Sequence, residues 1–183
     1  ETYDEWKDHP NFIEDVMRFL DNVLSDFIER APESFKDAKY SAMRERSVGL
    51  GVMGFHSFLQ KNSIPFESVM SKSWNNKIFK HIQTQVDQAS KLLSEEKGAC
   101  PDAQEYGFKE RFSNKTAIAP TASISIICGG SSPGVEPIAA NSYTHKTLSG
   151  SFNVRNKYLK RIKSSQNTVK NSHKKSSKIV QNN

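Results

Sequence analysis

Residues 114–134 read NKTAIAPTASISIICGGSSPG, a stretch that joins a short apolar run, a Pro-Thr-Ala-Ser turn and a double glycine. We expect a strand to end near Ala119 and a helix to begin near Thr121. The first N–H groups of a helix have no intrahelical acceptor, and the helix dipole is positive at that end. These groups and the hydroxyls of Thr121, Ser123 and Ser125 would face one anion. The pattern therefore predicts a phosphate site, without specifying which phosphate.

The composition is that of a folded protein. A length of 183 residues with 36% hydrophobic residues and 11 Phe suits one domain or one large piece of a bigger one. No apolar run approaches the roughly 20 residues of a membrane span, and the N-terminus is acidic and aromatic, so we expect no membrane partner and a cytoplasmic location. The chain starts at Glu1 without an initiator Met. This start suggests a piece of a longer sequence.

Few residues are candidates for redox or metal chemistry. Cys100 and Cys128 are too few for a disulfide framework, and the 5 His lack partners at metal-ligand spacing. We expect both cysteines to be small packing residues and the histidines to be surface or hydrogen-bonded imidazoles. Glu136 has two interpretations, a buried carboxylate near the predicted phosphate site or a satisfied loop carboxylate.

Charge is distributed unevenly along the chain. Residues 1–136 carry 16 basic and 20 acidic side chains, whereas residues 137–183 carry 10 basic and no acidic ones. Residues 160–183 are rich in Lys, Ser, Asn and Gln, a composition that predicts a disordered basic tail. Its seven Lys and Arg would suit either a solvated extension or salt-dependent binding of nucleic acid.

Apolar spacing predicts a helix-rich first half. A helix over 11–30 would bury a row of apolar residues, a second helix over 47–59 would pack closely through its glycines, and a third over 74–97 would stop at Gly98. Short strand-like runs follow at 116–119 and 148–154. The order indicates an α/β fold. The expected core row of the first helix is Phe12, Val16, Phe19, Leu20, Val23, Phe27 and Ile28.

Gly49, Gly51 and Gly54 spell G-x-G-x-x-G, the pattern of a dinucleotide-binding turn. In that fold the pattern follows a strand and is answered about 20 residues later by an acidic residue. Here a charged stretch, residues 44–46, precedes it, and residues 71–76 contain no carboxylate. Close helix packing is the better interpretation of these glycines.

Three motifs resemble the large, catalytic subunit of class I ribonucleotide reductase, especially its bacterial and bacteriophage members. They are RERSVGLGVMGF at 44–55, EEKGACP at 95–101 and APTASIS at 119–125. The segments GVEPI at 134–138 and YTHKTLSG at 143–150 continue the similarity. The resemblance covers roughly residues 1–159, which we treat as part of the barrel domain, and leaves 160–183 as a basic segment outside the family.

The resemblance implies a fold and a site. The family fold is a ten-stranded α/β barrel, of which this chain would supply a part. Its Pro-Thr-Ala-Ser turn is similar to the site that holds the substrate diphosphate. Carried over residue by residue, the substrate-binding residues would be Pro120, Thr121, Ala122, Ser123, Ile124 and Ser125.

The resemblance also implies an activity, the reduction of ribonucleoside diphosphates for DNA synthesis by a cysteine thiyl radical. Thioredoxin or glutaredoxin would supply the reductant, and ATP and dNTP would act as nucleotide effectors. A dinuclear-metal radical cofactor would belong to a separate small subunit, with no cofactor bound by this chain.

The family places its catalytic cysteines, with their Asn and Glu partners, before the segment that this chain resembles. Cys100 and Cys128 do not occupy those positions, so we expect the isolated chain to be inactive and to act with the remaining portion of the large subunit. Family members continue with Pro where this chain has Lys157. The chain would thus be an internal or split portion. The alternatives are a non-catalytic remnant whose basic tail binds nucleic acid, and an incomplete product that does not fold.

Overall fold

A computed structural model describes residues 3–147 and 150–159, except for the side chains of His145 and Thr147. These residues form two compact units, one from 3–52 and 72–120 and the other from 53–71 and the described residues after 120. The predicted basic tail, 160–183, lies outside the described residues, as do the first two residues of the predicted strand at 148–154.

The described residues are mostly helical, as predicted for the first half. The helices are α1 (Tyr3–Trp6), α2 (Phe12–Arg30), α3 (Lys36–Glu45), α4 (Phe55–Lys61), α5 (Val69–Lys97), α6 (Pro101–Glu105) and α7 (Ala122–Ile127), with a 3₁₀ turn at Glu33–Phe35. Two strands, β1 (Ser142–Thr147) and β2 (Gly150–Arg155), pair antiparallel with Tyr143 opposite Val154. The sequence predicted the second strand and missed the first.

Helix α5 supplies much of the buried apolar core of the first unit. Its residues at helical spacing are buried as predicted, and Gly98 ends it with a φ of +87°, a left-handed conformation that glycine adopts without penalty. The helix begins at Val69, before the predicted start at 74. The buried row is Ile78, Ile82, Val86, Ala89 and Leu93.

Helix α2 has the predicted bounds but buries a different face. Ile13, Met17 and Asp21 are its buried residues, while Phe19 is 64% exposed and Val23 is 52% exposed. The predicted core row was therefore wrong. The reason is that the buried face includes a carboxylate with cationic partners, which apolar periodicity does not detect.

Asp21 is fully buried and receives three cations from distant parts of the first unit. Arg46 Nη2 lies 2.7 Å from Asp21 Oδ1, Arg111 Nε lies 2.8 Å from the same oxygen, and Lys97 Nζ lies 3.0 Å from Oδ2. Arg111 also donates to the carbonyls of Lys97 and Gly98, which end α5. One carboxylate thus ties α2, the end of α5 and two chain segments together.

The segments that follow Arg46 and Arg111 in the chain run side by side. Residues 47–54 were predicted as the start of a helix, but they are not helical, and the helix begins only at Phe55. Leu50 N donates to Lys115 O at 3.0 Å, and Ala117 N donates to Leu50 O at 3.0 Å. The strand predicted at 116–119 is present only as a parallel bridge between Leu50 and Thr116.

The glycines permit the close approach of the two segments. A Cβ on Gly51 would lie 2.1 Å from Ala117 O, and one on Gly49 would lie 3.0 Å from Ala117 Cβ. Close packing at these glycines is confirmed, but their neighbour is an extended segment and not the helix that the sequence suggested.

Candidate functional site

The Pro-Thr-Ala-Ser turn leads into α7, which begins where the sequence predicted a helix. Thr121 precedes the helix with φ +49° and ψ +26°, a left-handed conformation that is uncommon outside glycine. Its Oγ1 accepts a hydrogen bond from Gly134 N at 2.9 Å, within the second unit. This bond links the turn to the loop that follows α7.

Several donors of the turn are available for an anion. Ala122, Ser123 and Ile124 are exposed, and their backbone N–H groups have no acceptor among residues 3–147 and 150–159. Ser123 is exposed at the start of the helix, and Pro120 before it is exposed as well. The arrangement supplies unpaired donors at one end of α7.

Ser125 differs from the expected anion donor. It is 3% exposed, its Oγ donates to Ala122 O at 3.1 Å, and its N–H donates to Thr121 O at 2.9 Å. Its own carbonyl accepts from Ser131 N at 3.0 Å. In this conformation Ser125 stabilises the turn from inside and does not present its hydroxyl to solvent.

The loop after α7 is anchored to the start of α4. Ser57 and Ser132 exchange two hydrogen bonds, Ser57 N to Ser132 Oγ at 3.1 Å and Ser132 N to Ser57 Oγ at 2.8 Å. Ile138 N donates to His56 Nδ1 at 3.0 Å. Burial lowers the pKa of His56, which favours the neutral imidazole that such an acceptor requires.

No motif in the sequence indicates that His56 or Ser57 belongs to this site. Their partners lie 82 and 75 residues away along the chain, and no spacing pattern signals such distances. The interpretation of the histidines as hydrogen-bonded or surface imidazoles is correct for His56.

The remaining candidates have mixed outcomes. Cys100 is fully buried, as a packing residue should be, but Cys128 is exposed at the end of α7, so the packing interpretation was wrong there. Glu136 is exposed, which excludes the buried carboxylate and leaves the loop carboxylate.

Two features are absent from the described part of the chain. Among residues 3–147 and 150–159, no three His, Cys, Asp or Glu side chains are grouped so as to hold a metal ion. No helix in the same residues combines the length and apolar character needed to cross a membrane.

Comparison with known proteins assigns the chain to a family. The family described as "Ribonucleotide reductase, barrel domain" matches residues 1–110 and 101–183. The chain therefore belongs to the ribonucleotide reductase barrel-domain family.

Its relatives include viral large subunits. It is 48% identical over 182 residues to the ribonucleoside-diphosphate reductase large subunit of Invertebrate iridescent virus 6, covering 100% of this chain and 19% of the relative. The same subunit of Invertebrate iridescent virus 3 is 45% identical, covering 87% of this chain and 25% of the relative.

A solved structure is similar to this chain in fold. The class Id ribonucleotide reductase alpha subunit of Actinobacillus ureae superposes with a TM-score of 0.76 at 36% identity, covering 90% of this chain and 30% of that one. The chain thus spans about a fifth to a quarter of the length of the two viral relatives. The family match includes residues 160–183, so it does not support the prediction that this segment is unrelated to the family.

Proposed function

We propose that this chain is part of a ribonucleoside-diphosphate reductase large subunit and that its Pro-Thr-Ala-Ser turn holds the substrate diphosphate. The observation that carries the proposal is the turn itself, which offers three unpaired backbone N–H groups at the start of α7 in a member of this family. Unpaired N–H groups at a helix start bind anionic oxygens well because they are already oriented and carry partial positive charge.

The proposal gives each residue of the turn a role. The backbone N–H groups of Ala122, Ser123 and Ile124 and the hydroxyl of Ser123 donate to phosphate oxygens. Thr121 keeps one hydroxyl proton to donate while its oxygen accepts from Gly134. Pro120 fixes the entry into the turn, since proline restricts the backbone. Ser125 stabilises the turn through Ala122 O and does not contact the substrate.

Catalysis is assigned to the rest of the protein. In the proposed enzyme a cysteine thiyl radical abstracts the 3′ hydrogen of the ribose and a cysteine pair reduces the 2′ position. Neither Cys100 nor Cys128 is proposed for these roles, because the family resemblance places the redox cysteines before the segment that this chain resembles.

The partners are proposed from the family to which the chain belongs. The remaining portion of the large subunit would supply the cysteines, and a separate small subunit would supply the radical from its dinuclear metal centre. Thioredoxin or glutaredoxin would supply electrons, and ATP and dNTP would regulate the complete subunit.

Two experiments test the proposal. Mixing the chain with a large-subunit segment that carries the catalytic cysteines, the small subunit and a dithiol should restore reduction of ribonucleoside diphosphates.

In the complete enzyme, Thr121→Val and Ser123→Ala should each raise KM for the diphosphate by about fivefold to tenfold, because a hydrogen bond to a charged group is lost. The matched control is Ser73→Ala, an exposed serine on α5. A KM unaffected by both turn substitutions would contradict the proposed site.

A further inference from the structure

We propose that His56 and Ser57 are positioning residues for the substrate turn, acting through the loop 131–138. This inference rests on the proposed function, because it concerns how the diphosphate-binding turn is held. His56 and Ser57 are adjacent at the start of α4, and both bond to the loop that follows α7.

The first anchor is the pair of serines. Ser57 is 5% exposed and Ser132 is fully buried, and each hydroxyl accepts the other's backbone N–H. Gly54 N adds a third bond, to Ser132 O at 2.8 Å. Because buried N–H groups without an acceptor are costly, this exchange fixes the loop at residue 132.

The second anchor is His56. Its Nδ1 accepts from Ile138 N at 3.0 Å, so its ring proton belongs on Nε2. The ring also lies edge-on to Phe66, with 5.6 Å between the centroids. His56 therefore fixes the loop at residue 138 through a single acceptor atom.

The loop is anchored at residues 132 and 138, and the residue that contacts the turn lies between these two positions. Gly134 N, between residues 132 and 138, donates to Thr121 Oγ1 at 2.9 Å. Thr121 has a left-handed backbone that only a well-supported non-glycine residue keeps. Loop 131–138 thus holds Thr121, and with it the N–H groups of the residues that follow.

Two substitutions at His56 separate an acceptor role from a purely structural one. His56→Asn keeps an acceptor oxygen close to the position of Nδ1, whereas His56→Leu fills a similar volume without one. In the complete enzyme we expect His56→Leu to raise KM for the ribonucleoside diphosphate about tenfold with kcat changed less than about twofold. His56→Asn should stay within about twofold of the wild-type KM, and Ser57→Ala should resemble His56→Leu.

Amide hydrogen exchange provides a second readout. The Ile138 amide should exchange about tenfold faster in His56→Leu than in wild type and near the wild-type rate in His56→Asn. If His56→Asn and His56→Leu have the same KM, the acceptor is not the cause and the inference is wrong. A wild-type KM in His56→Leu would also contradict the inference, provided that Thr121→Val raises KM in the same enzyme. If Thr121→Val and Ser123→Ala leave KM unchanged, it is the proposed function that fails.

Discussion

Asp21 shows how much a single buried residue can determine in this chain. Removing its charge leaves two guanidinium groups, Arg46 and Arg111, largely buried without their counter-ion. Breaking a buried ion pair by removing one partner costs about 3–5 kcal/mol. We therefore expect Asp21→Asn to lower the free energy of unfolding by about that amount, measured by urea denaturation.

The matched control for this prediction lies on the same helix. Asp26 pairs with Arg30 at 2.9 Å, and both side chains are more than half exposed. Exposed pairs contribute about 0.5 kcal/mol or less, so Asp26→Asn should change little. Equal losses from the two substitutions would contradict the importance of the buried network.

Asp21 should also make stability depend on pH. Burial raises the pKa of Asp21, but hydrogen bonds from Arg111, Arg46 and Lys97 outweigh burial, and the pKa lies below its ordinary value of 3.8. A carboxylate with a lowered folded pKa stabilises the protein above its unfolded pKa and loses that contribution as the pH falls through the folded pKa. Unfolding free energies measured between about pH 6 and pH 2 should therefore fall on acidification less steeply in Asp21→Asn than in wild type.

Single residues of the site were predictable only in part. The position of the turn and the start of its helix followed from Pro120 and Thr121 in the sequence. The burial of Ser125 and the anchoring role of His56 did not, because they depend on hydrogen bonds to partners that only the folded chain brings near. Hydroxyl residues in a turn can donate to a ligand or to their own backbone, and the sequence does not distinguish the two.

At the scale of elements, predictions succeeded where local pattern determines structure. Helix α5 has a long apolar row and a glycine stop, so its course and end were predictable. The helix predicted over residues 47–54 was wrong because the apolar spacing that suggested a helix applies only from Phe55 onward. The glycines before Phe55 disfavour a helix, and residues 48–50 form backbone hydrogen bonds with residues 114–117 instead.

Gly51 provides a test of that close approach. Its added Cβ would meet a backbone oxygen, Ala117 O, which cannot move without shifting the chain. We expect Gly51→Ala to destabilise the protein by about 3 kcal/mol and Gly49→Ala, whose neighbour is a methyl group, by about 1 kcal/mol. Chemical denaturation of both variants would measure the difference.

A second substitution distinguishes the two glycines further. Ala117→Gly removes the methyl group that faces Gly49 but leaves the carbonyl that faces Gly51. It should therefore restore part of the stability of Gly49→Ala and none of that of Gly51→Ala. Rescue of both variants would mean that the backbone clash at Gly51 is not the cause.

At the scale of the whole molecule, α2 presents apolar side chains that the described residues leave uncovered. Phe19, Val23 and Phe27 follow one another at intervals of four residues and are 64%, 52% and 38% exposed. Residues four apart lie on the same side of a helix, so the three form one row. Contiguous exposed apolar surface is typical of sites that contact other molecules, so we expect this row to be covered by another polypeptide segment in a longer protein. The chain spans only 19% and 25% of its two viral relatives, which leaves ample sequence to supply that segment.

Phe19→Ala should therefore have two different effects on stability, depending on the protein in which it is made. In the 183-residue chain, Phe19→Ala should change the free energy of unfolding by less than about 0.5 kcal/mol, because the side chain is mostly in water. Met17→Ala, on the buried face of the same helix, should cost about 2–5 kcal/mol. In a complete large subunit that contains these residues, Phe19→Ala should cost about as much as Met17→Ala, because the row is then covered. Denaturation of both variants in both proteins measures this. A negligible cost of Phe19→Ala in the complete subunit would show that the row faces water there too, and that α2 is apolar on this side for a reason other than contact.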